Sequence, residues 1–239
     1  MPETSGLHFI ISCEHASNAV PDEWAHLFRD GGEVLKTHRG WDPGALPIAQ
    51  RLAKRLNVPA MVYPYGRLLI EPNRSLHHPN LFSEFTKNLS RSDKQKLIDM
   101  YWTPHRDKIL KMVNSVHGKK TTLHIGVHTF TPVFDGVVRK VDIGLLYNPK
   151  RKNEKSFCTA LKKNLKSEFP ELKIRMNEPY KGSADGLTTS LRKQFFPDDY
   201  LGIELEVNQK FRELPQAGYE KFCRKLSGCI ADTAIGTRV

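Results

Sequence analysis

Two acids fall on one side of an apolar run. In Gly202-Ile203-Glu204-Leu205-Glu206-Val207 the side-chain period of a strand sends Glu204 and Glu206 the same way, roughly 6.5 Å apart at about 3.3 Å per residue. Carboxylates so placed repel each other and resist burial, and they require a cation, a set of donors or a proton. Two further apolar runs end in histidine, Ser12-Cys13-Glu14-His15 and Gly126-Val127-His128-Thr129. Imidazole and carboxylate together suit Zn²⁺, and a catalytic zinc takes three protein ligands plus water. The candidate ligands are His15, His128 and an acid drawn from Asp42, Glu14 or Glu204. Asp42 lies in Thr37-His38-Arg39-Gly40-Trp41-Asp42-Pro43-Gly44-Ala45, where it also reads as a helix N-cap ahead of Pro43 at the first helical position.

Other groups have simpler duties. His8, His26, His77, His78, His105 and His117 stand in polar or amphipathic surroundings and read as surface or hydrogen-bonded histidines. A Cys13–His15 thiol pair is discounted, because residues two apart on a strand project in parallel beyond hydrogen-bond reach. Asn73-Arg74-Ser75 follows the turn-like Glu71-Pro72 and puts an amide and a guanidinium fork on a short loop, a pairing that grips a carboxylate through parallel charge-assisted bonds. The long stretch from Asn177 to Thr189 has the composition of a lid or binding loop. Beside it, Arg192 supplies a second anion contact or else covers the helix surface.

These residues need a scaffold, and the 239-residue chain is long enough for one large domain spanning 1–239, with 39% hydrophobic residues to fill its core. Disorder is thereby excluded, and no apolar run approaches the roughly 18 residues that cross a bilayer. Met1 to Gly6 lacks the basic start and apolar stretch of a secretory signal. Cys13, Cys158, Cys223 and Cys229 form no Cys-x-x-Cys pair, so a cytoplasmic location is expected. Strand-length runs alternate with helical patterns throughout. Strands are expected at Leu7–Cys13, Ala60–Tyr63, Arg67–Ile70, Thr121–Val127, Val141–Tyr147, Leu172–Met176 and Tyr200–Val207. Helices are expected at Pro21–Phe28, Pro43–Leu56, Ser90–His117 with a kink or split at Pro104, Glu154–Lys166, Leu187–Phe196 and Leu214–Ala234. The pattern predicts an α/β fold, three αβα layers around a mixed, mostly parallel sheet, with its site beyond the carboxyl ends of the central strands. The formal charge of +11 fits nucleic-acid binding, attraction of small anionic substrates, or solubility alone. Lys150 to Lys166 lacks interleaved aromatics and reads as a solvated face.

The order of motifs, Glu14-His15-Ala16-Ser17-Asn18, Gly40-Trp41-Asp42, Asn73-Arg74, His128-Thr129, the Pro179–Thr189 loop and Glu204-Leu205-Glu206-Val207, resembles the N-formylglutamate amidohydrolase family over most of the chain. The resemblance implies the phosphorylase/hydrolase-like fold of the zinc-dependent exopeptidases and hydrolysis of N-formyl-L-glutamate to formate and glutamate in histidine breakdown. It implies His15, Asp42 and His128 as metal ligands, Asn73 and Arg74 as carboxylate-binding residues and Glu206 as general base. The ion would be zinc or another divalent transition metal, and the partner a small anionic N-acyl amino acid. In such a site His38, four residues before Asp42, would orient a ligand. His15-Ala16-Ser17 stands where the deformylases carry His-Ser-Gly, and Glu204 where they carry Gln, which points to a sister branch whose substrate is open. A zinc carboxypeptidase or another N-acyl amino-acid hydrolase is the alternative within hydrolases. The alternative outside them is a basic nucleic-acid-binding protein using Lys150 to Arg175.

Overall fold

The computed structural model describes residues 6–237. Met1 to Ser5, read above for a leader, lie outside the described residues. The strands are β1 (Leu7–Cys13), β2 (Ala60–Val62), β3 (Thr121–Phe130), β4 (Val133–Phe134), β5 (Val137–Val138), β6 (Ile143–Leu146), β7 (Ile174–Met176) and β8 (Tyr200–Asn208). The α-helices are α1 (Gly32–Leu35), α2 (Ala45–Leu56), α3 (Arg91–Leu97), α4 (Thr103–Asn114), α5 (Lys152–Glu168), α6 (Leu187–Arg192) and α7 (Gln216–Gly236). Asp22–Phe28 forms a 3₁₀ helix. Six strands make one sheet in the order β2-β1-β3-β8-β6-β7. All its pairings are parallel except β6 with β8, which gives the mixed, mostly parallel sheet that the alternation predicts.

Side-chain alternation assigns the layers. Leu7, Phe9 and Ile11 of β1, Leu123, Ile125 and Val127 of β3, and Leu201, Ile203 and Leu205 of β8 pack with Ile48 and Leu52 of α2, Phe157 and Leu161 of α5, and Leu226 and Ile230 of α7. On the other face Ile10, Met61 and Tyr200 meet Ile109 and Val113 of α4 and Leu187 and Leu191 of α6. That second face turns polar toward the strand ends. Gly126 is in register with Ser12 and with Glu204, and His128 with Glu206. Beneath them His124 lies 2.7 Å from the Ser12 hydroxyl and 2.7 Å from that of Tyr200. Burial pushes the His124 pKa down to about 4, so a neutral ring joins the two hydroxyls.

Three local expectations are corrected. Arg67–Ile70 is a series of turns, in which the Leu69 amide donates to the Gly66 carbonyl at 3.1 Å. Its apolar side chains enter a separate core with Trp24 and Phe28, and a short apolar run does not distinguish such a buried turn from a strand. Asp42 does not cap α2: the N-cap is Gly44, at φ 92°, with no side-chain cap bond. A Cβ on Gly44 would lie 2.7 Å from Cδ of Arg212, so glycine both takes the left-handed turn and leaves the Asp42 carboxylate free to face elsewhere. The helix expected over Ser90–His117 is divided by a π-helical turn at Ile98–Trp102, after which Pro104 occupies the first turn of α4, where its missing N–H costs little. No helix among the described residues is long and apolar enough to cross a membrane.

Candidate active site

The parallel order β1-β3-β8 carries the ends of three strands to one edge. His15 follows β1 and His128 lies near the end of β3, while Asp42 reaches them from the turn before α2, its amide donating to the His15 carbonyl at 2.9 Å. His15 Nδ1 is 3.1 Å from His128 Nδ1 and 3.3 Å from Asp42 Oδ2, and His128 Nδ1 is 3.2 Å from the same oxygen. Nitrogen and oxygen ligands held about 2.0–2.1 Å from a tetrahedral centre are roughly 3.3 Å apart. Among the described residues this is the one group of three or more His, Cys, Asp or Glu side chains with the spacing to hold a metal ion, and all three members are buried.

The outward nitrogens are also engaged. His15 Nε2 lies 2.5 Å from Glu71 Oε1, and His128 Nε2 3.3 Å from Glu14 Oε2. A proton on each Nε2 leaves the Nδ1 lone pairs facing the Asp42 carboxylate, and three such donors in one buried spot demand positive charge. Without a metal the demand falls on protons. Burial works against a charged His128, but Asp42 and Glu14 hold its pKa well above the ordinary imidazole value. Burial likewise opposes ionised Asp42, yet Arg67, His15 and His128 keep its pKa far below the usual range. Glu71 is held down at about 2, its burial outweighed by His15 and Arg67. Removing one such outer carboxylate typically weakens metal binding by about 10- to 100-fold. Glu71→Gln is expected to do so in competition with a chelating dye, and unchanged affinity would remove Glu71 from this role.

A cavity of about 600 Å³ opens beside the cluster, lined by His15, Asp42, His128, Glu204 and Glu206 and also by His38, Asn73, Arg74, Phe134, Tyr180 and Lys181. Glu206 is buried, and its Oε2 has no hydrogen-bond partner. Burial chiefly, with help from Asp42 and Glu204, pushes its pKa up to about 8. A divalent cation at the cluster would draw it downward, toward the range where a general base works at neutral pH. Gly144 of β6 stands opposite Glu206. A Cβ there would collide with the Glu178 carbonyl oxygen, so glycine lets the 177–189 loop cross close to the site. A second groove, of about 660 Å³ between α2 and α7, contains no histidine.

The other candidates separate. Glu14 and Glu204, weighed as alternatives to Asp42, lie outside the cluster: Glu14 is on the far nitrogen of His128, and Glu204 accepts from the Thr188 hydroxyl at 2.9 Å. Asn73 and Arg74 line the cavity; Asn73 Oδ1 accepts from the Leu187 amide at 2.7 Å, and Arg74 donates to the Asp185 carbonyl. His38 lines it too, but Glu71, Glu14, Arg67 and the Thr129 amide make the contacts that orient the three ligands. Arg192 is corrected. Its guanidinium is buried and donates to Glu154 at 2.9 Å, to the carbonyls of Gly182 and Gly202 at 2.6 Å each, and to the Thr189 hydroxyl at 3.0 Å. Four of its five N–H donors are thus taken inside the protein, and they join α5, the 177–189 loop and β8. Arg192→Ala should cost about 3–5 kcal/mol in urea unfolding by leaving Glu154 buried and unpaired, whereas a substrate contact would raise KM and spare stability. Glu71 and Arg67 were not anticipated as site residues. An acid immediately ahead of Pro72-Asn73-Arg74 was the available signal.

Residues 7–211 match the sequence profile of N-formylglutamate amidohydrolase. The chain belongs to the N-formylglutamate amidohydrolase family. It is thus a hydrolase acting on an amide. No curated protein matches the chain. Among solved structures, a gene product of Agrobacterium tumefaciens is 24% identical, with a TM-score of 0.78 over 96% of this chain and 90% of that one. N-formylglutamate amidohydrolase from Ralstonia eutropha JMP134 is 16% identical, with a TM-score of 0.64 over 98% and 95%. The chain shares its overall fold with both structures.

Proposed function

We propose that the protein is a metal-dependent amidohydrolase that cleaves the amide of an N-acyl amino acid, with N-formyl-L-glutamate as the substrate favoured by family membership. The observation that carries this reading is the triangle of His15, Asp42 and His128 donors beside the unpartnered carboxylate of Glu206. The nitrogen and oxygen set suits zinc and also admits Mn²⁺, Fe²⁺ or Co²⁺. Bound there, such an ion would supply a Lewis acid and lower the pKa of water toward about 7.

The chain's own groups do the rest. His15 and His128 present Nδ1 inward because Glu71 and Glu14 hold Nε2. Arg67, ion-paired with Asp42, offsets the acidity around the ligands. Asn73 and Arg74 hold the substrate carboxylate, which fixes the acyl carbon relative to Glu206. Glu206 takes the proton of the attacking water and returns it to the departing amide nitrogen, so that formate and a free amino acid leave. Residues 1–239 would act as one amidohydrolase domain, with a role in histidine breakdown. Four free cysteines support a reducing, cytoplasmic setting.

Glu204, an acid on the cavity wall, favours a second reading, in which the amino acid released is not glutamate. One panel decides between them. Formate release from N-formyl-L-glutamate, lost on chelation and restored by Zn²⁺, Mn²⁺ or Co²⁺, is the expected result. Release from other N-acyl amino acids alone would favour the second reading. Full turnover under chelation, or no hydrolysis of any member, would contradict the proposal.

A further inference from the structure

The cations around the cavity differ in whether they are already neutralised. Arg39 is paired with Glu84 and Arg67 with Asp42. Arg74 donates to a neutral carbonyl, and Lys181 lies 3.4 Å from the carbonyl oxygen of Asn177. Arg139, just after β5, has no acidic partner among the described residues. Its guanidinium lies 4.5 Å from the ring centre of Phe134, 5.3 Å from that of Tyr180 and 5.6 Å from that of Phe130. One of its N–H groups donates to the Tyr180 hydroxyl at 3.1 Å. All three rings belong to residues that line the cavity.

Three rings around a half-buried guanidinium restrict its rotamers before any ligand arrives, while its remaining N–H donors stay free. The charge is felt inside the cavity: burial first, then Arg67 and Arg139, lower the pKa of His38. Arg192, the other arginine expected to meet an anion, has four of its five N–H donors engaged within the protein. We infer that Arg139, steered by Tyr180, forms a second anion subsite at the mouth of the cavity, where it holds the side-chain carboxylate of a dicarboxylic N-acyl amino acid while Arg74 holds the other carboxylate. The assignment rests on the amidohydrolase reading and adds to it the residue that selects an acidic side chain.

The test compares kcat/KM for N-formyl-L-glutamate and N-formyl-L-norvaline, which has a methyl in place of the distal carboxylate. The ratio should favour the glutamyl substrate in the parent and fall about 10- to 100-fold in Arg139→Gln, the worth of a charge-assisted pair. Arg139→Lys should recover part of it, because lysine keeps the charge and loses the fork. An unchanged ratio in Arg139→Gln overturns the assignment. If the parent hydrolyses neither compound, the amidohydrolase reading has failed, and the subsite is decided by calorimetry with glutarate and pentanoate. Glutarate binding at least about tenfold tighter in the parent, with the preference lost in Arg139→Gln, supports the subsite. Equal binding of the two, or a preference that survives the substitution, overturns it.

Discussion

Glu206→Gln should lower kcat by about 10²- to 10⁴-fold, the usual contribution of a positioned general base. The substitution is isosteric, and Glu206 Oε2 has no partner to lose, so the fold and the metal content should survive. KM should change much less than kcat, because the proposed carboxylate grip belongs to Asn73 and Arg74 and not to Glu206. Steady-state kinetics alongside metal analysis and circular dichroism checks this. Near-parental turnover in a folded, metal-loaded variant would assign the base elsewhere, with Glu204 the next candidate on the same strand face.

The second large effect is expected from His128→Ala. This ring touches Asp42 on one side and Glu14 on the other, so its loss removes one of three ligands and leaves two buried acids short of a partner. Bound metal should fall from about one equivalent per chain to near none, with activity down at least about 10³-fold, as several kcal/mol of transition-state stabilisation disappear. The metal-free protein should also lose about 3 kcal/mol in urea unfolding, the cost of breaking a buried charge pair. His15→Ala removes a different ligand and should reproduce the metal loss. A stable His128→Ala protein that retains full metal and full turnover would contradict the assignment of this ligand.

The sheet was legible because its signal is periodic. Leu7–Cys13 reads as a strand and is one, and the alternation Leu123, Ile125, Val127 against His124, Gly126, His128 already separates a core face from a polar face. Period two and parallel pairing then suffice to bring His15, His128 and Glu206 to one edge. Periodicity does not say which acid completes a metal triangle; Asp42 was singled out, like Glu206 as base, by resemblance to family motifs. Groups on irregular backbone were harder to see. Arg67 and Glu71 sit in successive turns whose apolar neighbours mimic a strand. The destiny of Arg192 depends on Glu154, which is distant in sequence and which no local pattern pairs with it. The β4–β5 hairpin carried a usable cue that went unread: Asp135-Gly136, both at positive φ, between Val133-Phe134 and Val137-Val138, is a turn-forming pair flanked by apolar residues. The hairpin places Phe134 on the cavity wall and leads directly into Arg139.

The metal centre itself is most directly tested by anomalous X-ray diffraction from crystals of the active protein, recorded at the absorption edge of the metal it carries. The account predicts one strong peak within bonding distance of His15 Nδ1, His128 Nδ1 and an Asp42 carboxylate oxygen. Crystals that turn over substrate yet show no peak there, or show their only peak elsewhere, would contradict it.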